Sequence, residues 1–542
     1  MEGLRDAPHD APRPAAMRVD SVNHFRDTGR RCQPRAVRPV EPGARSMMSP
    51  VIDPTRARFA PCGPARLAGA AAVATVVALA AAGCATTPAL PPPDTAALAV
   101  PYRQMPAADM RSLDAATWRG FDDPVLDGLL TRARAANLDV RIAAQRVRQA
   151  RAGSTAAASR LWPTVAVTGS VSDQRSGLPA EVKRGAPDTR AARAALDLGW
   201  EIDVFGAARA AAEGAELDAL AADAGVEAAQ WLATTEVARL YLVRQGARVR
   251  LRQLQALLDA QQATERLTAS RRAQGLASAF DVSRAAGEAQ ALAAQLPALR
   301  TLVAVSEHQI GVLLGDAPGA ADAGWRDAVA ALPAVPDLQP GQPIELLQRR
   351  PDLRVAERQL LAEGARLRES QADQWPRFFI AAVLGRQDLR LNLLDLTPVR
   401  FSNVALAFAA PVFNAGRLRA AVERQDARAR AASLQYERTV LSALQDVENS
   451  LVSLAQERDR GRLLAMAVDS RRQGLRHAES LHREGQIDLL QLLDAQRGLI
   501  AAELAATDSH TQRALGAVQL VKALGGGWYA EPARLASATS RP

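Results

Sequence analysis

Lysine, cysteine and aromatic side chains are all scarce in this 542-residue chain, and each scarcity closes off a class of protein. Aromatics make up only 4% of the residues while alanine is abundant, which disfavours ordinary globular cores and favours long helix-on-helix contacts. Lysine occurs only as Lys183 and Lys522, so the formal charge of +9 is carried by arginine. Those arginines alternate with acids along helical stretches, the pattern of solvated faces and not of a nucleic-acid surface. There is no phosphate-binding glycine loop, no histidine-glutamate zinc helix and no nucleophile elbow. His477 and His482 stand five apart on a helical stretch, a poor facing pair for a metal. Neither an enzyme nor a cofactor is therefore expected. Beyond residue 84 no run approaches the ~20 apolar residues that a membrane-spanning helix needs. Any crossing of a membrane falls to strands.

What the chain does contain is a stretch that occurs twice. Leu138-Asp139-Val140-Arg141-Ile142-Ala143 leads to Trp162-Pro163, and Pro351-Asp352-Leu353-Arg354-Val355-Ala356 leads to Trp375-Pro376. One offset of 213 superposes Asp139 on Asp352, Arg141 on Arg354, Trp162 on Trp375 and Pro163 on Pro376. Val204-Phe205-Gly206 matches Val412-Phe413-Asn414 at 208, and Gly275 matches Gly485 at 210. A period this long marks two duplicated halves of about 210 residues, not a solenoid of short repeats.

The front of the chain reads as an address. Arg56, Arg58 and Arg66 precede an apolar run from Leu67 to Ala82, followed by Gly83-Cys84. That is a positive n-region, a hydrophobic h-region and a small-residue cleavage site. A cysteine directly after Ala81-Ala82-Gly83 resembles the bacterial lipobox, which implies lipidation of Cys84 and its exposure as the first mature residue. The absence of aspartate at Ala85 implies sorting to the outer membrane. Cleavage there removes Cys32 and Cys62, so no disulfide is possible. Residues 1–46 have no place in this scheme and read as a non-native upstream extension, with 47–83 as the signal peptide.

Residues 84–122 begin with Pro88, Pro91, Pro92 and Pro93, which makes them an extended tether. From Asp123-Pro124 onward a helical period sets in, with Leu126, Leu129 and Leu130, then Leu138, Ile142 and Val147, until Pro163 stops it. Strands are expected at about 164–174, 192–204, 377–387 and 401–412. In the second, Leu196, Leu198, Trp200 and Ile202 share one parity, and Asp197, Gly199, Glu201 and Asp203 the other. A soluble antiparallel sheet and a porin-like wall both predict that alternation. Four such strands cannot close around water alone, so several chains would have to assemble. Long helical hairpins are expected over about 207–315 and 415–524, each with an outgoing helix of up to roughly 100 Å. Val440, Leu444, Val447, Leu451 and Leu454 step by alternating fours and threes, a coiled-coil seam. Each hairpin turns at a glycine: Gln274-Gly275-Leu276-Ala277-Ser278 and Glu484-Gly485-Gln486-Ile487-Asp488. The two halves then span 123–335 and 336–530, with a tail at 531–542.

These residues together resemble the TolC-like outer-membrane efflux proteins, in particular the lipidated NodT type that serves resistance-nodulation-division drug-efflux systems. The carriers are Trp118 with Phe121-Asp122-Asp123-Pro124, Trp200-Glu201-Ile202-Asp203-Val204-Phe205-Gly206, Arg350-Pro351-Asp352-Leu353, Pro411-Val412-Phe413-Asn414-Ala415-Gly416-Arg417 and Lys522-Ala523-Leu524-Gly525-Gly526-Gly527-Trp528. The resemblance implies a mainly α fold with membrane β: a homotrimeric 12-stranded outer-membrane barrel continued by a 12-helix periplasmic barrel. It implies an exit duct in contact with outer-membrane lipid, served by a periplasmic adaptor and an inner-membrane pump. It places adaptor docking at Gln274, Gly275, Leu276, Ser278, Gly485, Gln486 and Ile487. It places the periplasmic constriction at Asp494, where Gln491 replaces a second acid and Asp488 and Asp281 lie near. Asp197, Glu201 and Asp203 would face the barrel lumen. Type I secretion and metal efflux use the same fold, and a soluble coiled-coil scaffold lipoprotein is a competing reading of the heptads and Cys84.

Overall fold

The structure, a computed structural model, describes residues 102–103, 117–175, 177, 179, 188–319, 325–326, 332–336, 338, 341–391, 394–395 and 398–526. The upstream extension, the signal segment, Cys84, most of the tether, Trp528 and the tail lie outside the described residues.

The chain enters its first helix through a worked cap. Asp123 Oδ1 accepts from the amides of Val125 and Leu126, and Pro124 opens α1 (Pro124–Ala136) with its φ already helical. The other carboxylate oxygen accepts from the Tyr241 hydroxyl at 2.7 Å, which fixes α1 to the long helix beside it. Burial, then the bond to Asp123, raises the Tyr241 pKa. Asn137 stops α1 and caps α2 (Leu138–Ala158). Here the helical period points differently from the sequence reading: Val140, Ala143 and Val147 are buried, whereas Leu138 and Ile142 are about half exposed.

After Trp162-Pro163 the chain forms β1 (Thr164–Gln174) and β2 (Thr189–Ile202). α3 (Ala207–Ala273) runs 67 residues, about 100 Å at 1.5 Å per residue. Its return is two pieces, α4 (Ala279–Ala293) and α5 (Leu296–Leu313). The second half gives α6 (Leu346–Arg349), α7 (Pro351–Ala372), β3 (Arg377–Leu391), the two-residue β4 (Leu394–Asp395) and β5 (Val399–Ala409). Then come α8 (Arg417–Arg483), again 67 residues, and an unbroken α9 (Leu489–Ala523). Both ends of α3 and α8 differ by 210, and Gly206 and Gly416 take the same left-handed turn into them, φ 82° and 85°. The structural equivalent of Gly206 is therefore Gly416, and Asn414-Ala415 are two extra residues.

All strand pairs are antiparallel, in the order β1-β2-β3-β5, with β4 pairing the far end of β3. Strand limits differ from expectation for local reasons. β2 starts at Thr189 and stops at Ile202, because Asp203 leaves the ladder to cap α3. β3 extends to Leu391 by pairing with Thr189 and β4. β5 ends at Ala409, short of Pro411, which has no amide to donate. The outer strands β1 and β5 each pair on one side only among the described residues.

The packed core lies midway along the helices, away from both sheet and tips. One cluster joins α1 Leu126 and Leu130 to α3 Val237 and Tyr241, Ile310 and α9 Val518. Its counterpart joins Leu346 and Leu353 to α8 Val440 and Val447 and α9 Leu520. Of the coiled-coil seam, Val440, Val447, Leu451 and Leu454 are buried and Leu444 only partly. Each full burial contributes about 1.5–3 kcal/mol. Arg350 is the polar pin of this cluster. Its guanidinium bonds Asp352 at 2.7 Å, Asp446 at 3.2 Å and the Ala523 carbonyl at 3.0 Å, and lies over Trp231. Burial works against its charge, and the two carboxylates more than offset that, raising its pKa. The Arg-Pro-Asp motif thus ties α7, α8 and α9 together. Among the described residues no helix is long and apolar enough to cross a membrane.

Candidate functional site

Both long helices end in the same hydrogen-bonded turn. Gly275 donates to Arg272 and Leu276 to Arg271, while Gly485 donates to His482 and Gln486 to Leu481, all at 2.8–3.0 Å. The paired 5→2 and 6→1 bonds require a left-handed residue between them, and the glycines supply it at φ 76° and 74°. Nothing crowds either glycine. The returning helices are capped at positions 210 apart by different chemistry. Ser278 and Asp281 form a reciprocal capping box, with Ser278 N and Oγ donating to Asp281 at 2.9 and 2.7 Å. At the second tip Asp488 accepts from the Gln491 amide at 2.8 Å.

Several of the sequence-assigned residues therefore have local structural work. Ser278, Asp281 and Asp488 are caps, and the hydrogen bonds from the Ser278 hydroxyl and amide hold the Asp281 carboxyl below the usual aspartate range. Asp281 and Asp488 nevertheless line one cleft of about 270 Å³ between the two hairpins, with Leu276, Arg284 and an Arg497–Glu288 ion pair of 3.1 Å. Asp494 and Gln491 do not line it. Asp494 is exposed and makes no hydrogen bond or ion pair among the described residues. Leu276 is 73% exposed, whereas Ile487 is half-buried and its carbonyl accepts from His482 Nδ1 at 3.1 Å. Gln274, Gly275, Gly485 and Gln486 are exposed.

Sequence reading missed Phe280, 71% exposed at the second position of α4. The available signal was an aromatic, rare in this chain, placed just after a polar helix cap at a wet tip. Leu490, 44% exposed, occupies the matching place 210 residues on.

At the other end of the chain the sheet has two unlike faces. Val165, Val167, Leu196, Leu198, Trp200, Phe378, Ile380, Leu384, Val404, Leu406 and Phe408 share one face by register. Val404, Leu406 and Phe408 are 79, 74 and 72% exposed. Asp197, Glu201 and Asn403 take the opposite face. Asp197 accepts from Thr168 Oγ1 at 2.5 Å, and Glu201 sits 3.7 Å from Arg377. Asp203 is a correction: it lies past the strand, its carboxylate accepting from the amides of Ala208 and Arg209 at 3.1 and 2.8 Å, so it caps α3 and does not line the sheet. Arg193 is a cation on the Asp197 face that sequence reading passed over, 4.7 Å from the centre of the Phe401 ring.

Comparison with known proteins gives a consistent result. A family model described as "Outer membrane efflux protein" matches residues 129–316 and 343–526. Nodulation protein T of Rhizobium leguminosarum bv. trifolii is 30% identical over 392 residues, covering 71% of this chain and 82% of that protein. Pyoverdine export outer membrane protein OpmQ of Pseudomonas aeruginosa is 30% identical over 463 residues, covering 84% and 96%. Among solved structures, the outer-membrane channel OprN is similar at 30% identity and a TM-score of 0.70, covering 82% of this chain and 98% of its own.

Proposed function

The chain belongs to the outer membrane efflux protein family, and on that premise we propose that it is the outer-membrane duct of an efflux pump, carrying small molecules outward from the periplasm. The observation that supports this most is the sheet: an exposed apolar face, an opposite face that carries Asp197, Glu201, Arg193 and Arg377, and two open edges on the same four long strands. In lipid an unpaired backbone edge costs several kcal/mol per group, so β1 and β5 must find partners. Three copies joined edge to edge give twelve strands, enough to close around water, and the soluble scaffold reading leaves that apolar face unexplained.

The finer assignments are part of the same reading. Each chain is two structural repeats, 123–335 and 336–530, and their α3–α4–α5 and α8–α9 hairpins supply a twelve-helix periplasmic tunnel. Lipid on Cys84 anchors the tether to the outer membrane. Asp197 and Glu201 face the lumen. Asp494, with no hydrogen bond or ion pair among the described residues, supplies a ring of three carboxylates that favours cations at the periplasmic end. Leu276, Phe280 and the turn residues around Gly275 and Gly485 meet a periplasmic adaptor, which links the duct to an inner-membrane pump. The protein is a conduit, with no catalytic step assigned to any residue. The test is the purified protein in mild detergent. A trimeric mass and stepwise ion conductance across planar lipid are expected, and a compact monomer without conductance would overturn the reading.

A further inference from the structure

The outward, apolar face of the sheet ends differently at its two rims. At the rim beside the helices it carries Trp200, Phe378 and Phe408, the last two with ring centres 6.4 Å apart. Membrane barrels usually carry an aromatic girdle at both interfaces. On this face no aromatic residue stands toward the far rim, from Thr164 to Gly199 or from Ala381 to Arg400, and Phe401 lies on the opposite face by register. Arginine stands there instead. Arg190 is directly opposite Arg390 across β2 and β3, and Arg386 is directly opposite Arg400 across β3 and β5. All four lie an even number of residues from Leu196, Leu384 or Val404 along their own strands, so they share the apolar face.

Like charges directly opposed across a ladder destabilise it, and here two such pairs occur on one face. Acids pair with some of these arginines and not with all of them. Asp173 pairs with Arg190 at 3.0 Å and Arg175 at 3.3 Å, and Asp388 lies 3.6 Å from Arg386. Arg400 has no ion pair among the described residues. Beside Arg386 the small residues Gly169, Ala192 and Ala194 floor a depression of about 340 Å³, rimmed by Val171 and Asp388.

We propose that this rim binds a phosphorylated glycolipid of the outer leaflet, its phosphates bridging the opposed arginines and its acyl chains lying along Leu196, Leu384 and Val404. This rests on the reading of the sheet as a membrane wall with its helices periplasmic. Guanidinium forks match phosphate oxygens two at a time, and a basic cluster at the edge of an apolar band is where anionic headgroups concentrate. The sheet then distinguishes its two interfaces chemically: aromatic rings meet the inner leaflet and arginines the phosphate-bearing outer one.

The test uses the purified full-length protein in detergent with three probes: bisphosphorylated lipid A, phosphatidylethanolamine and inorganic phosphate. Lipid A alone should raise the melting temperature and remain bound in native mass spectrometry. Arg386→Gln with Arg400→Gln should bind it at least about tenfold more weakly, a loss of one charge-assisted contact. Arg400→Gln alone breaks no ion pair, so it keeps the test valid if the double variant folds poorly. Equal lipid A binding by either variant, or an equal effect of phosphatidylethanolamine or inorganic phosphate on the wild type, would overturn the proposal. Planar-lipid conductance reports separately on the channel: the variants should conduct like the wild type, and a non-conducting wild type would instead sink the membrane-wall reading.

Discussion

The two helical hairpins of this chain have outgoing helices of identical length and nearly identical turns, yet they diverge from the tip onward. In the first the return breaks after Ala293 and restarts at Leu296, because Pro297 has no amide to bond the Ala293 carbonyl. In the second the matching residue is Thr507, and α9 runs unbroken for 35 residues. The first tip offers Leu276 and Phe280 to solvent, where the second has Gln486 and the smaller Leu490. Most tellingly, Arg284 of the first return helix stands 210 residues from Asp494 of the second, so equivalent positions carry opposite charge. Matching turns at an offset of 210 thus carry unlike side chains, Leu276, Phe280 and Arg284 at the first tip and Gln486, Leu490 and Asp494 at the second.

The comparison can be broken by moving the break. Thr507→Pro should interrupt α9 and remove the Gln253–Thr507 hydrogen bond of 2.9 Å, costing about 3 kcal/mol or more. Pro297→Ala should stay within about 1 kcal/mol of wild type. Thermal unfolding of the assembled protein checks both, and equal losses would show that the two return helices are not distinguished by this residue.

The next effect concerns partner binding. Leu276→Asp and Phe280→Asp should each weaken adaptor binding by about 30-fold, as expected for an anchor residue of ~2 kcal/mol. Ile487→Asp should cost less binding, because that side chain is half-buried against its own turn. Surface-bound adaptor titrated with the purified channel measures this, and a larger loss from Ile487 would reverse the assignment of the docking tip.

Charge exchange is smaller. Asp494→Asn removes all three carboxylates of the proposed ring and should lower cation preference at least roughly fivefold, since each at 4 Å in water is worth about 1 kcal/mol to a passing cation. Arg284→Gln should leave that preference nearly unchanged. Reversal potentials in a salt gradient decide between them.

Acidification gives the mildest difference. The Asp281 carboxyl is held below its ordinary range by Ser278, so its stabilisation of the first tip is complete above that range. It is lost as the pH falls through the depressed value. Hydrogen exchange over residues 275–285, corrected for intrinsic rates, should show the tip loosening only in strong acid, and Ser278→Ala, which keeps the amide bond to Asp281, should shrink that pH step.

Much of this was legible in sequence because it depends on periodicity or on a single required conformation. The strand alternation at Leu196–Ile202, the proline-free long helices and the glycines at both tips follow from side-chain spacing and backbone sterics. Other features were hidden because they depend on what each group touches. Asp203 continues the alternation of β2 perfectly, yet two amides of the next helix draw its carboxylate away. Leu138 and Ile142 belong to an apolar series, but α2 buries Val140 and Val147. Ser278 and Asp281 read as docking and constriction candidates, and their first partners are each other.

The sequence by itself determined the strands, the long helices and the turn points, since these are set by local backbone preference and hydrophobic period. Only the tertiary structure decided which side of each element is covered, which carboxylates are spent on caps, and that four arginines from three strands meet in opposed pairs on one rim. Those depend on strand register and helix contacts between residues far apart in the chain, which no local pattern encodes.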